Sequence, residues 1–307
     1  MQFFYLLILP LFLFSQEMYT RTQALMGTFV HITLPAPYNQ QISDSFALIH
    51  HIEEELSSYS PHLVYQLNQK HTVPFHARLS EAIRLSKQYY KDTHGYFDIT
   101  IGSISKNLYH FGEENNSVPS SEALQQAKLN IDAIKINTSS ITTEKDITID
   151  LGGMGKGYAV DKVADFLEAQ NITQGVIALS GDIRCLDICA FELQSPFSEQ
   201  TFAKLTSRIP QLSISTSGTY RRYVGTQKNH HLINPKSRSQ GRSFVSVSIF
   251  TQANNTLCDV MATAIASMPK KEALKFVKNQ KRFGYVLITP TGEEISGNLE
   301  KFVERIK

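Results

Sequence analysis

Residues Asp146 to Asp161 read D-I-T-I-D-L-G-G-M-G-K-G-Y-A-V-D. The first six residues alternate and predict a strand over Asp146–Leu151. Glycines follow at 152, 153, 155 and 157. Val160, Val163, Ala164 and Leu167 then make one stripe of a helix over Tyr158–Ala169. Such a turn lets the backbone approach a ligand closely. The first helical turn offers unpaired N–H groups to an anion, and Lys156 adds positive charge. The G-x-G-x-G spacing is not a Walker loop, which needs Ser or Thr after the lysine, nor the dinucleotide G-x-G-x-x-G. Two readings stay open from these residues: phosphate or pyrophosphate binding, and a tight turn that serves structure alone.

Working outward, Thr28–Leu34 reads as a strand ended by Pro35 and Pro37. Ser43 to Ser57 reads as a helix capped by Ser43, Leu79–Tyr90 as one capped by Ser80, and Ser120–Lys128 as a short third. Val176–Leu179, Phe244–Phe250 and Tyr285–Ile288 read as strands, Thr256–Met268 as a helix and Leu299–Ile306 as a terminal helix. Strands and helices mix without strict alternation, which predicts an α+β fold. A length of 307 residues suits two domains or one large one. No Pro/Gly/Ser-rich linker divides the chain, so residues 17–307 are expected to form one continuous domain.

Composition narrows the classes. Lys plus Arg is 30 and Asp plus Glu is 28, a net charge of +2 that argues against a nucleic-acid binder. With 42% hydrophobic and 19% charged residues the chain is not disordered. Phe3 to Phe14 is an apolar run too short for a bilayer-spanning helix of about 20 residues. It suits the core of a secretory signal, so residues 1–16 are expected to be a signal peptide or an N-terminal anchor, with the rest exported. Cys185 and Cys189 have no second pair to make a zinc site. They are expected as buried thiols, open to oxidation in an exported protein.

Three further segments carry chemistry. In Cys258-Asp259-Val260-Met261-Ala262-Thr263, Asp259 and Thr263 are four apart on a helix and present two oxygens on one face. Carboxylate with hydroxyl is hard-oxygen chemistry that suits Mg²⁺. The competing reading is a carboxylate near a helix start acting as a cap or dipole partner. Tyr96-Phe97-Asp98-Ile99-Thr100 mixes aromatic rings, a carboxylate and a hydroxyl, with an ordinary strand start as the alternative. Asn229 to Pro235 contains His230 and His231, with no H-E-x-x-H to support zinc, so a single histidine handling a proton is the better reading. No G-x-S-x-G is present to support a serine hydrolase.

The order of these pieces resembles the ApbE family, the FAD:protein FMN transferases. Met26-Gly27-Thr28 resembles its opening M-G-T, and Leu56–Tyr59 with Leu67-Asn68 its L-S-x-Y…L-N segment. Gly95–Thr100 with Gly102 and Phe111-Gly112 resembles G-x-F-D-I-T-x-G…F-G. Asp150–Asp161, Ser180–Ile183, Thr216–Tyr220, His231–Pro235 and Asp259–Thr263 continue the series in register. The match runs from Met26 to Ala273.

The resemblance implies an α+β, T-fold-related architecture of mixed sheets packed with helices, with an FAD site in a central cleft. It implies transfer of FMN from FAD to a Ser or Thr hydroxyl of a target flavoprotein, through a phosphodiester, with release of AMP. The metal, Mg²⁺ or Mn²⁺, would be held by Asp259, Thr263 and the carbonyl of Gly153. Met26, Tyr59, Tyr96, Phe97, Asp98 and Lys156 match flavin-nucleotide contacts. Tyr59 and Tyr96 can stack on flat rings. His231 is the candidate for acid–base or orienting duty, and Asp259 for catalysis through the metal. Acceptors in the family carry an S/T-G-A-S/T-like motif, and an electron-transfer or redox-pump subunit is the implied partner. The implied location is the periplasm or the periplasmic side of the inner membrane. No cysteine follows the apolar run, so a lipid anchor has no support.

Some positions depart from the family pattern. Asn234 stands for Asp, Arg238 for Gly, Ser103-Ile104 for Pro-Leu, Tyr109 for Trp and Cys258 for Ala, while Arg184–Leu212 matches poorly. An FAD pyrophosphatase giving FMN and AMP, and a flavin-binding protein without turnover, are the competing functions.

Overall fold

A computed structural model describes residues 17–306. The expected signal peptide or anchor, residues 1–16, lies outside the described residues. Eight strands form one sheet: β1 (Met18–Leu25), β2 (Thr28–Pro35), β3 (Val176–Leu179), β4 (Asp182–Cys185), β5 (Leu212–Gly218), β6 (Ser246–Gln252), β7 (Gly284–Ile288) and β8 (Glu294–Gly297). Their spatial order is their sequence order, and every pairing is antiparallel. Three connections are tight and four are long excursions.

The principal helices are α1 (Asn39–Leu56), α2 (Ala77–Asp92), α3 (Gly155–Glu168) and α4 (Asn255–Ser267). The largest core joins residues of all four to Val30, Ile32, Leu34, Ile177, Val247, Ile249 and Leu287 of the sheet. Burying a side chain of this size contributes about 1.5–3 kcal/mol. Twelve of the thirteen residues of α4 are buried, and Thr263 is the exception. A helix buried nearly all round is a core element rather than a surface one, so Thr263 marks where α4 meets the site. A second core lies between the sheet and three strands, Ala190–Gln194, Thr201–Ser207 and Val303–Arg305, and includes Phe191, Leu205, Ile214, Phe250 and Val303.

The α+β class and the strands at 28, 176, 246 and 284 agree with the sequence reading, and several local expectations are corrected. Asp146 ends a turn, and among the described residues 147–151 belong to no sheet. Their backbone is satisfied by other groups. Asn68 both donates to the carbonyl of Ile149 and accepts from its N–H, each at 2.9 Å. Ser103 Oγ accepts from the Thr148 N–H at 3.0 Å. Side chains replace the missing neighbour strand, which is why the alternation looked like a ladder. Leu299–Ile306 is one 3₁₀ turn followed by a strand that pairs with Thr201–Ser207. The apolar residues at helical spacing there are buried as Phe302 and Val303 against that strand. Ser43 and Ser80 lie inside their helices rather than at caps. Ser120 does cap its helix, accepting from Ala123 N. Cys185 and Cys189 are joined by a disulfide, not present as two thiols, because β4 and the following strand bring their Cα atoms to 5.8 Å. Cys258 is free and buried.

Candidate active site

The glycine turn and α4 meet because glycine removes the side chains between them. A Cβ on Gly157 would stand 2.6 Å from the carbonyl oxygen of Asn255 and 2.8 Å from Asp259 Cβ. One on Gly153 would stand 3.1 Å from Thr263 Cγ2 and 3.2 Å from Phe97. The approach allows the N–H of Gly157 to donate to Asp259 Oδ2 at 3.1 Å. Asp161, at the end of the same motif, accepts from the N–H groups of Asn255 and Thr256 at 2.7 and 2.8 Å. One carboxylate of α3 thus holds the N-terminus of α4, while Asn254 caps it by accepting from Leu257 N. Asp259 is therefore not the cap of its helix.

The turn, α4, the Tyr96–Ile101 segment and the loop after β5 line one cavity of 820 Å³, within the usual size range of cofactor sites. Met26, Tyr96, Phe97, Asp98, Gly153, Lys156, His231, Asp259 and Thr263 all face it. Every predicted site residue but one is on that wall. The exception is Tyr59, whose hydroxyl donates to the Phe111 carbonyl at 2.7 Å and accepts from Arg222. Its ring lies under Lys106 Nζ at 3.4 Å. It props Arg222 from behind instead of facing the cavity.

Each wall residue is fixed by its own element. Met26 and Gly27 form the two-residue β1–β2 turn with φ of 53° and 69°, the conformation such hairpins favour. Phe97 packs edge-on against Tyr89. Asp98 Oδ1 accepts from the Thr100 N–H and hydroxyl at 2.8 and 2.7 Å, and burial raises its pKa. The Tyr96 hydroxyl donates to Glu272, and burial with that carboxylate pushes its pKa up to about 12. Asp150 accepts from Ser105 and Gly152 N. Burial raises its pKa, but Lys106 and Arg222 outweigh that and hold it below the usual value.

Charge concentrates around Lys156. Its Nζ is 2.6 Å from Asp182 and 3.7 Å from Asp259. Burial disfavours its charge, yet the two carboxylates hold its pKa above the lysine value. Asp259 is raised well above the carboxylate range, first by burial and then by Asp182, against the opposing pull of Lys156 and the Gly157 N–H. Asp182 is 1% exposed, and its Oδ1 has no hydrogen-bond partner among the described residues. The sequence reading missed Asp161, Asp182 and Arg222. Asp161 and Asp182 sat inside quoted motifs, but only the packing of α3, α4 and β4 shows what they hold.

His231 Nδ1 lies 3.0 Å from the carbonyl of Arg222, so it carries the proton and Nε2 is the ring's acceptor. Burial and then Arg222 push its pKa down to about 3, leaving the ring neutral. His230 is directed elsewhere, to the carbonyl of Gly241. Among the described residues there is no group of three His, Cys, Asp or Glu side chains arranged for a metal. A hard cation does not need one. The oxygens of Asp259, Thr263 and Gly153 on one wall, with the unpartnered buried oxygen of Asp182 in the same cavity, fit a divalent ion of the Mg²⁺ or Mn²⁺ type.

The two departures in the His231–Arg238 loop have physical readings. Asn234 Oδ1 accepts from Lys236 N at 2.9 Å, a turn that Asn makes as well as Asp. Arg238 has φ of 56°, a region glycine enters freely and other residues at a cost.

Residues 26–287 match the ApbE family. An FAD:protein FMN transferase of Klebsiella pneumoniae is 26% identical over 235 residues, 73% of this chain and 74% of the relative. One of Vibrio cholerae is 26% identical over 249 residues, 74% and 73% of the two chains. The fold is also that of the ApbE protein of Thermotoga maritima, with a TM-score of 0.83 at 20% identity over 93% of this chain and 98% of that one. The Vibrio cholerae flavin transferase ApbE superposes with a TM-score of 0.77 at 21% identity over 94% and 99%. The match extends over most of the described residues and takes in both the glycine turn and α4, and so the chain belongs to the ApbE family.

Proposed function

We propose that this chain transfers the FMN half of FAD to a Ser or Thr hydroxyl of an acceptor flavoprotein, forming a phosphodiester and releasing AMP. The observation that carries this reading is the meeting of the Gly152–Gly157 turn, Lys156 and the Asp259–Thr263 face of α4 on one wall of an 820 Å³ cavity. That wall offers the Lys156 ammonium to a diphosphate and oxygen donors to a cation.

Gly153, Asp259 and Thr263 are the residues that would hold Mg²⁺ or Mn²⁺. When bound, such an ion neutralises charge that builds on the phosphoryl oxygens. Lys156 and Arg222 supply fixed positive charge beside it. Tyr96 and Phe97 shape the wall for flat rings, and Asp98 stands beside them to fix orientation. Neutral His231 presents Nε2 as an acceptor for the proton of the attacking hydroxyl. We assign the acceptor an S/T-G-A-S/T-like motif, and an electron-transfer or redox-pump subunit as its host. The apolar run Phe3–Phe14 supports export to the periplasmic side. The Cys185–Cys189 disulfide supports the same location, since disulfides persist in oxidising compartments.

The deciding experiment incubates the protein with FAD, Mg²⁺ and a peptide bearing the motif, followed by mass spectrometry. A peptide heavier by one FMN, with an equivalent of AMP, is the expected result. Free FMN and AMP with unmodified peptide would make the protein a pyrophosphatase instead.

A further inference from the structure

The connection between β5 and β6, residues 219–245, contains Arg221, Arg222, Lys228, Lys236, Arg238 and Arg242 and no Asp or Glu. The whole chain is only +2, so the remainder is net acidic. Among the described residues none of the six forms an ion pair with a carboxylate. A merely solvated face carries both signs interspersed. This one carries a single sign.

Two cations of the segment reach residues of the cavity wall. At one end Arg221 donates to the side chain of Gln194, and at the other Lys236 Nζ sits 3.9 Å over the Tyr96 ring. Gln194 and Tyr96 both line the cavity. Val224 and Ile233 anchor the segment on Ile104, Tyr109 and Phe111, so its charges sit on a packed base. FAD does not account for all of them. Lys156 and Arg222 line the cavity and would face its diphosphate, whereas Lys228, Lys236, Arg238 and Arg242 are absent from the lining. Lys228 and Arg242 are exposed. Tyr223, in the same segment, is 44% exposed, and Phe29, on the cavity wall, is 67% exposed.

We propose that this basic rim docks an acidic segment of the acceptor protein, next to the hydroxyl that receives FMN. The inference rests on the transferase reading given above. Arg221 and Lys236 stand where the segment meets the cavity wall, and complementary charge there both steers an encounter and rejects unsuitable partners. A lipid bilayer seated on the same residues would close the entrance, which favours a protein segment.

The test uses three fluorescent peptides with one S/T-G-A-S/T core flanked by Asp/Glu, by Gln or by Lys, and reads binding by anisotropy. The acid-flanked peptide should bind at least about tenfold more tightly than the Gln-flanked one at low salt, and high salt should erase the difference. The Lys228→Glu/Arg242→Glu variant should lose the preference with its FAD affinity unchanged. Equal binding of the three peptides by the native protein overturns the proposal. So does a preference confined to vesicles of anionic lipid, which would make the rim a membrane contact. Binding is read without turnover, so docking and transfer fail separately: transfer that ignores the flanks removes only the rim, and docking without transfer removes only the catalytic reading.

Discussion

Lys156 Nζ sits 2.6 Å from Asp182 and 3.7 Å from Asp259, so one lysine is shared by two buried carboxylates and held by the nearer. Asp182 thereby holds the ammonium closer to itself than to Asp259. In Asp182→Asn the lysine should pair fully with Asp259 and compete with a cation there. Mn²⁺ binding followed by calorimetry should weaken by about tenfold, the scale of a lost partner near a metal ligand. Adding Lys156→Gln to that variant should restore it. Weak binding that persists in the double variant would mean that Asp182 acts on the metal directly.

Asp259→Ala removes the carboxylate that α4 presents to the cavity while leaving the Asp161 and Asn254 bonds to its N-terminus in place. FMN transfer to peptide should fall by at least about 100-fold, a loss of the size expected for a metal ligand in phosphoryl transfer. Circular dichroism should stay native. Near-normal transfer by this variant would remove Asp259 from the site.

The glycines of the turn should differ in their tolerance. Gly157→Ala drives a methyl into the Asn255 carbonyl at 2.6 Å, which should cost about 1–3 kcal/mol of stability. Gly155→Ala meets only Met26 Cε at an ordinary 3.7 Å. In a helix it should be neutral or stabilising by up to about 1 kcal/mol. Urea titration of the two variants orders them, and equal effects would contradict the packing of α3 on α4.

His230 gives the protein an acid-sensitive element away from the chemistry. It is 4% exposed, its Nε2 lies 2.9 Å from the Gly241 carbonyl, and its Nδ1 accepts from Leu232 N. A second proton would break the latter bond and bury a charge, and burial pushes its pKa from 6.5 down to about 4. The unfolded chain therefore takes up the proton first as pH falls. Stability present above about pH 6.5 should decline down to about pH 4, by as much as about 3 kcal/mol. His230→Gln should reduce the slope of that part of the stability–pH curve, with His231 supplying the remainder, and an unchanged slope would discount the residue.

What the sequence disclosed depended on how local the information was. Asp259 and Thr263 were legible together because a helix puts i and i+4 on one face. Lys156 was legible as a cation after a glycine turn. Its partner Asp182 was not, since 26 residues and a change of strand separate them. Residues 146–151 alternate as a strand does, yet Asn68 and Ser103 take the place of its neighbours, and no pattern within six residues could reveal that. Leu299, Phe302, Val303 and Ile306 stand at a helical spacing that pairing with Thr201–Ser207 overrides. Tyr59 resembled a stacking residue, but it stands behind Arg222 and off the cavity wall.

The sequential order of β1 to β8 separates the frame from the chemistry. Three of the seven links are short turns, and the four long ones carry Lys156, Gln194, His231 and Asp259 in turn. Each long link leaves and re-enters the sheet between strands that pair with one another. A link can thus lengthen, shorten or change its composition without moving the register of any ladder. The same frame serves chains that retain about a fifth of their residues in common.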